Sequence, residues 1–121
     1  MSYFTPEELA CTHCGKQNFN EEVLATLNQM REEAGFPFVV SSAYRCPEHP
    51  IEAKKANLGE HTTGMAVDIL VSGEQAHTLL SLAAAYGVPR IGVNQKGARA
   101  NRFIHLGFNE DYPNPTVWSY S

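Results

Sequence analysis

The chain has 121 residues, 43% of them hydrophobic and 18% charged, with a formal net charge of −4. That length suffices for one packed domain, residues 1–121, and that balance excludes a disordered, collagen-like or coiled-coil chain. The basic residues form only short clusters, Lys54-Lys55 and Lys96/Arg99/Arg102, in an acidic whole. No nucleic-acid partner is therefore expected, because duplex binding needs a positive face that releases counterions.

No run approaches the roughly 20 apolar residues that cross a bilayer, so no membrane span is expected. The opening Met1-Ser2-Tyr3-Phe4-Thr5-Pro6-Glu7-Glu8 lacks the basic-then-apolar layout of a secretory signal. The expectation is a chain kept in the cytoplasm as made, with delivery to any outside substrate left to another component. Three cysteines, an odd number, do not compose a secreted disulfide framework.

In chain order, Thr5-Pro6-Glu7-Glu8 opens a short helix: Thr5 caps, Pro6 fits the first turn and Glu8 completes a capping box. Cys11-Thr12-His13-Cys14-Gly15 reads as a tight loop. From Asn20 to Gly35 the residues Val23, Leu24, Leu27, Met30 and Ala34 share one helical face, and Gly35 is the stop. Phe38-Val39-Val40 is a short strand that runs into Ser41-Ser42-Ala43-Tyr44-Arg45-Cys46-Pro47. Residues 47–63 show no periodicity and read as a long surface connection, a length that usually marks function. Ala66-Val67-Asp68-Ile69-Leu70-Val71 is the clearest strand. Ser72-Gly73-Glu74-Gln75 caps a second helix ending near Tyr86, with Ala76, Leu79, Leu80, Ala83 and Ala84 as its buried stripe. Residues 90–93 and 102–108 are two further strands that pair as a hairpin. The tail from Asn109 has two prolines and reads as irregular, with Trp118 and Tyr120 clasping it to the body. This order predicts an α+β domain: a small, mainly antiparallel sheet with helices packed on one side.

Two residues break the apolar pattern. Asp68 interrupts a strand that is otherwise apolar, and a buried carboxylate is costly unless it is paired or metal-bound. His105 does the same within Phe103-Ile104-His105-Leu106. His61 lies seven residues before Asp68, with Gly64 between them to turn the chain. Two imidazoles and a carboxylate suit zinc and leave a fourth position for water, as catalytic sites do. The spacing equally fits an exposed His61, a capping Asp68 and a core His105. The cysteines hold a separate possibility: Cys11-x2-Cys14 with Cys46-x2-His49 has the knuckle spacing of a second, structural zinc. A disulfide and a set of free thiols are the alternatives. His13 and His77 read as surface residues.

The segments Ser42-Ala43-Tyr44-Arg45, His61-Thr62-Thr63-Gly64-Met65-Ala66-Val67-Asp68-Ile69 and Phe103-Ile104-His105-Leu106 resemble, in that order, the zinc peptidases of bacterial cell walls. That family includes D-alanyl-D-alanine carboxypeptidases and phage endolysin or tail-associated peptidases, and the Hedgehog signalling domain has the same fold. The second segment is the specific one. The likeness is to the short phage and prophage branch and runs from Thr5 to Tyr120. It implies a zinc ion at His61, Asp68 and His105 and hydrolysis of peptidoglycan stem peptides, with a phage tail or lysis apparatus bringing the chain to the wall. It also implies that Arg45 grips a substrate carboxylate, which a planar guanidinium recognises through two parallel bonds, and that Ser42 and Tyr44 line the same cleft. The bland role for Arg45 is an ion pair that pins the long connection.

The sequence departs from the family in two places. Relatives commonly have Ser two residues before the first histidine, where this chain has Gly59. Relatives also carry an Asp or Glu three residues before the last histidine or two after it, and here those places hold Arg102 and Gly107. A zinc hydrolase needs a carboxylate for proton transfer. Glu60, Glu110 and Asp111 are the candidates, and no motif selects among them. A zinc domain that binds the cell wall or a phage structural partner without turnover is the alternative function.

Overall fold

The computed structural model describes residues 2–55 and 59–120. Its elements are α1 (Pro6–Leu9), α2 (Glu21–Ala34), β1 (Val39–Ser42), α3 (Pro50–Ala53), β2 (Ala66–Leu70), α4 (Gly73–Ala85), β3 (Arg90–Asn94), β4 (Phe103–Gly107) and β5 (Thr116–Ser119). Single 3-10 turns occupy Glu60–Thr63 and Arg99–Asn101. The strands form one sheet in the order β1-β2-β4-β3-β5, antiparallel except for the β3–β5 pair. The α+β architecture expected from the sequence is present.

Local chemistry explains most of the boundaries. Thr5 and Glu8 close a reciprocal capping box on α1. The Asn20 side chain accepts from Val23 N–H at 3.0 Å to start α2, and Gly35, with φ of 78°, ends it. Ser72 stands at the N-cap of α4, but its side chain makes no capping bond, so the expected cap is positional only.

Strand parity divides the sheet. Val67 and Ile69 of β2 and Ile104 and Leu106 of β4 point toward the helices, where they meet Leu27 and Met30 of α2 and Leu79 and Ala83 of α4. All of these side chains are fully or almost fully buried. Burying aliphatic side chains of this kind stabilises the fold by about 1.5–3 kcal/mol each. The opposite parity places Ser42, Asp68, His105, Gly92 and Trp118 at matching register positions across the five strands. One cross-strand row thus assembles polar residues that lie far apart in sequence.

The structure corrects further sequence expectations: Leu80 and Ala84, read into the buried stripe of α4, are exposed. The aperiodic stretch 47–63 holds α3 and a 3-10 turn, and Glu52 on α3 is fully buried; residues 56–58 of that stretch lie outside those described. Glu52 is stabilised there by the N–H of Gly59 at 2.8 Å, by Arg45 at 3.1 Å and by Lys55 at 3.1 Å. The tail is not wholly irregular, because β5 pairs in parallel with β3 beyond its prolines. Trp118 does more than clasp the tail: its ring lies over Gly92 and 5.3 Å from the His105 ring.

Candidate metal centre

The 3-10 turn Glu60–Thr63 ends at Gly64, whose φ of 72° reverses the chain into β2. A side chain at 64 would also collide with the carbonyl of Asn18, so glycine is required twice over. The reversal brings His61 back over the strand that carries Asp68. Cross-strand pairing of Asp68 with His105 supplies the third group. One donor atom from each of His61, Asp68 and His105 lies within 4.8 Å of the others, and all three residues are buried.

Hydrogen bonds fix how each ring presents itself. His61 donates its Nδ1–H to the Ala43 carbonyl at 2.6 Å, since a carbonyl can only accept. In the neutral ring its Nε2 then turns a lone pair toward Asp68 Oδ1, 3.3 Å away. His105 Nδ1 is 2.9 Å from the same Oδ1, and its Nε2 is 3.0 Å from Glu60 Oε1. Lone pairs converging on a carboxylate oxygen repel one another unless a cation or a proton lies between them. This donor set, with an outer acceptor on the far nitrogen of each ring, is the chemistry of a nitrogen- and oxygen-ligated zinc. The residues fit the ion.

The electrostatics follow. Burial works to raise the Asp68 pKa, but hydrogen bonds from His105 and His61 outweigh it and hold the carboxyl below its usual range. Glu60 behaves alike: burial opposes ionisation, while His105, Arg90 and the Asn109 N–H overcome it. Burial disfavours a charged His105 ring, yet its bonds to Asp68 and Glu60 raise its pKa above the ordinary value.

The cluster forms the floor of a cleft of about 480 Å³, with Arg45, Arg90, Phe103, Tyr112, Trp118 and Tyr120 among its walls. A larger groove of about 570 Å³ beside α2 contains Glu32 and Glu33 but none of the imidazoles or thiols. The chemistry therefore belongs to the smaller cleft.

The structure sorts the remaining site residues. Arg45 lines the cleft and is also pinned: Nη1 donates to Glu52 Oε2 at 3.1 Å, Nε to Ser42 Oγ at 3.0 Å, and Nη2 lies 3.9 Å from Asp68 Oδ2. Ser42 thus orients Arg45. Tyr44 does not line the cleft; it is buried against Cys11 and Cys46. Of the three candidate bases, Glu60 alone reaches the cluster. Glu110 is exposed and lines a separate groove with Asn20 and Met65, and Asp111 is exposed. Neither Glu110 nor Asp111 of the tail lines the cleft.

Sequence reasoning missed Arg90 and the partnership of Glu60. Arg90 Nε donates to Glu60 Oε1 at 2.9 Å and Nη1 to the Pro113 carbonyl at 2.6 Å. Its guanidinium also lies over the Trp118 ring, 4.9 Å from the centroid. No motif around Arg90 signals this role. Its signal is geometric: Arg90 pairs with Gly107 across the sheet, and Gly107 leaves the space that Glu60 fills.

No curated protein sequence matches the chain. A model of the family described as Peptidase M15 matches residues 2–107. That span includes every residue of the His61/Asp68/His105 cluster, and M15 peptidases are zinc-dependent. The ligand chemistry at the cleft floor agrees with that match, and the chain belongs to the Peptidase M15 family.

Proposed function

We propose that the chain is a zinc-dependent peptidase that hydrolyses peptidoglycan stem peptides, as a carboxypeptidase or an endopeptidase. The observation that carries the reading is the convergence of His61, Asp68 and His105 in a cleft walled by Arg45. His61 through Nε2, Asp68, and His105 through Nδ1 are the residues that would hold the ion. When bound there, zinc supplies Lewis-acid polarisation of a carbonyl and a water acidic enough to react near neutral pH.

The chain's own residues do the rest. Ala43 and Glu60 hold the two rings in the required tautomers. Arg45 offers positive charge to a substrate carboxylate, with Ser42 and Glu52 fixing the plane of the guanidinium. Glu60 is the carboxylate placed to accept a proton. Its bonds to Arg90 and Asn109 keep it ionised, which suits an acceptor, and also weaken its basicity, which limits the rate. Support for a wall substrate comes from the three sequence segments shared with cell-wall peptidases. Delivery by a phage particle or lysis apparatus completes the proposal.

One observation favours a second reading, a zinc domain that binds the wall or a phage structural partner without turnover. Both carboxylates that line the cleft, Glu60 and Asp68, are already engaged by neighbouring side chains. Mass analysis of peptidoglycan fragments after incubation with the zinc-loaded chain separates the readings. Loss of a terminal residue marks a carboxypeptidase, and a split stem or cross-bridge marks an endopeptidase. Binding with no new fragment supports the second reading.

A further inference from the structure

Three cysteines from two separate stretches meet outside the cleft. Cys11 and Cys14 lie on the loop after α1, and Cys46 follows Arg45. Their sulfurs all lie within 4.8 Å of one another, with Cys11 Sγ and Cys46 Sγ 3.6 Å apart. A disulfide would require about 2.05 Å. Two thiolates on one tetrahedral zinc, each at about 2.3 Å, stand about 3.8 Å apart. The observed separation rules out a disulfide and suits either a shared metal or the thiol–thiol hydrogen bond seen between Cys11 and Cys46.

The backbone around the sulfurs holds them in place. The loop closes on itself through Gly15 N–H to the Cys11 carbonyl at 2.8 Å and Cys11 N–H to the Lys16 carbonyl at 2.9 Å. Cys11 Sγ accepts from Cys46 N–H at 3.2 Å. Cys11 and Cys46 are buried and Cys14 is exposed, so the third sulfur closes the pocket from the solvent side. His49 repeats the x2 spacing after Cys46, but its Nδ1 accepts from Ile51 N–H at 3.1 Å and its Nε2 lies 3.2 Å from Thr12 Oγ1, so the three sulfurs are the donors that meet.

We propose that Cys11, Cys14 and Cys46 hold a structural zinc ion, separate from the metal centre of the cleft. The site ties the loop after α1 to the segment that carries Arg45. Tyr44 N–H already donates to the Leu9 carbonyl at 3.3 Å, and Arg45 N–H to the His61 carbonyl at 3.1 Å. The ion would thereby brace one wall of the cleft.

The test is metal content of protein purified under reducing conditions. The full chain should carry about two zinc ions, and a His61→Ala/His105→Ala variant about one. Adding Cys14→Ser to that variant should remove the last. Cobalt loaded into the His61→Ala/His105→Ala variant should give thiolate-to-cobalt charge-transfer absorption that Cys14→Ser abolishes. A His61→Ala/His105→Ala variant that is folded by circular dichroism yet binds no zinc overturns the proposal. Should that variant not fold, zinc X-ray absorption of the unmodified chain decides: sulfur neighbours near 2.3 Å support the site, and nitrogen and oxygen neighbours alone overturn it.

Discussion

The carboxylate of Glu60 occupies the space into which any side chain at Gly107 would project. Gly107 therefore does not mark a site that has simply lost a carboxylate. The position two residues after the last histidine is filled from another part of the chain, by the residue that precedes the first histidine. Introducing a carboxylate at 107 alone cannot test for a missing base, because it would first have to expel Glu60.

That relationship predicts strong coupling between the two positions. Gly107→Ala should destabilise the protein by about 1–3 kcal/mol, the usual cost of overpacking a filled site. Adding Glu60→Ala should recover part of the loss, since the space is then free. A double-mutant cycle from denaturant unfolding measures this, and contacting residues typically couple by about 0.5–3 kcal/mol. Additive losses would separate the two positions.

Glu60→Gln should also change how the ion is held. The Gln side chain keeps the volume but replaces a charged acceptor on His105 Nε2 with a neutral one. Losing such an outer partner typically costs about 10–100-fold in metal affinity. Competition with a chromogenic chelator reads the affinity directly. Unchanged affinity together with abolished turnover would give Glu60 a role in proton transfer alone.

Arg45→Lys keeps the charge but loses the planar fork. Because Nε and Nη1 are held by Ser42 and Glu52, the lysine should weaken substrate binding by about 10-fold or more, in line with losing one charge-assisted hydrogen bond. Zinc content should not change. The measurement is KM for a peptide with a free carboxylate against its amide: the unmodified chain should favour the free acid, and the variant should not. Aggregation of the variant would assign Arg45 to holding α3 in place.

Glu52 gives a pH-dependent signature away from the metal centre. Burial works to raise its pKa, but the Gly59 N–H, Arg45 and Lys55 together lower it below the ordinary value. A carboxyl depressed on folding contributes stability above its unfolded pKa of about 4.3, and that stability is lost as pH falls through the folded value. Glu52→Gln should thus cost about 1–3 kcal/mol near neutral pH, the penalty for weakening buried charged hydrogen bonds. The gap between variant and parent should narrow below about pH 4. Urea unfolding between pH 3 and pH 7 checks both the size and the sign.

The sequence makes some of this site visible and hides the rest for physical reasons. Asp68 and His105 stand out because each is a polar side chain in an apolar strand, and the strand boundaries follow from β-type runs between turn residues. Helices α2 and α4 are legible from their periodic faces, although only Ala76, Leu79 and Ala83 of the stripe read for α4 are buried. The row that joins Asp68 to His105 and Trp118 is not legible, because register depends on pairings between strands separated by tens of residues. Nor could the sequence choose Glu60 over Glu110 and Asp111. That choice depends on Arg90, the Asn109 N–H and the vacancy at Gly107. Glu52 was invisible because one turn of helix leaves no periodic trace, and β5 because the prolines before it signal an irregular tail.

The proposed peptidase, with His61, Asp68 and His105 as its zinc ligands, is tested most directly on the wall itself. The most direct measurement is product mass analysis of purified peptidoglycan treated in parallel with the zinc-loaded chain, the chelated chain and His105→Ala. The account predicts new stem-peptide fragments only with the zinc-loaded chain, and their return when zinc is restored to the chelated one. Fragments of equal yield from His105→Ala, or none from a chain shown to carry zinc at the cleft, would contradict it.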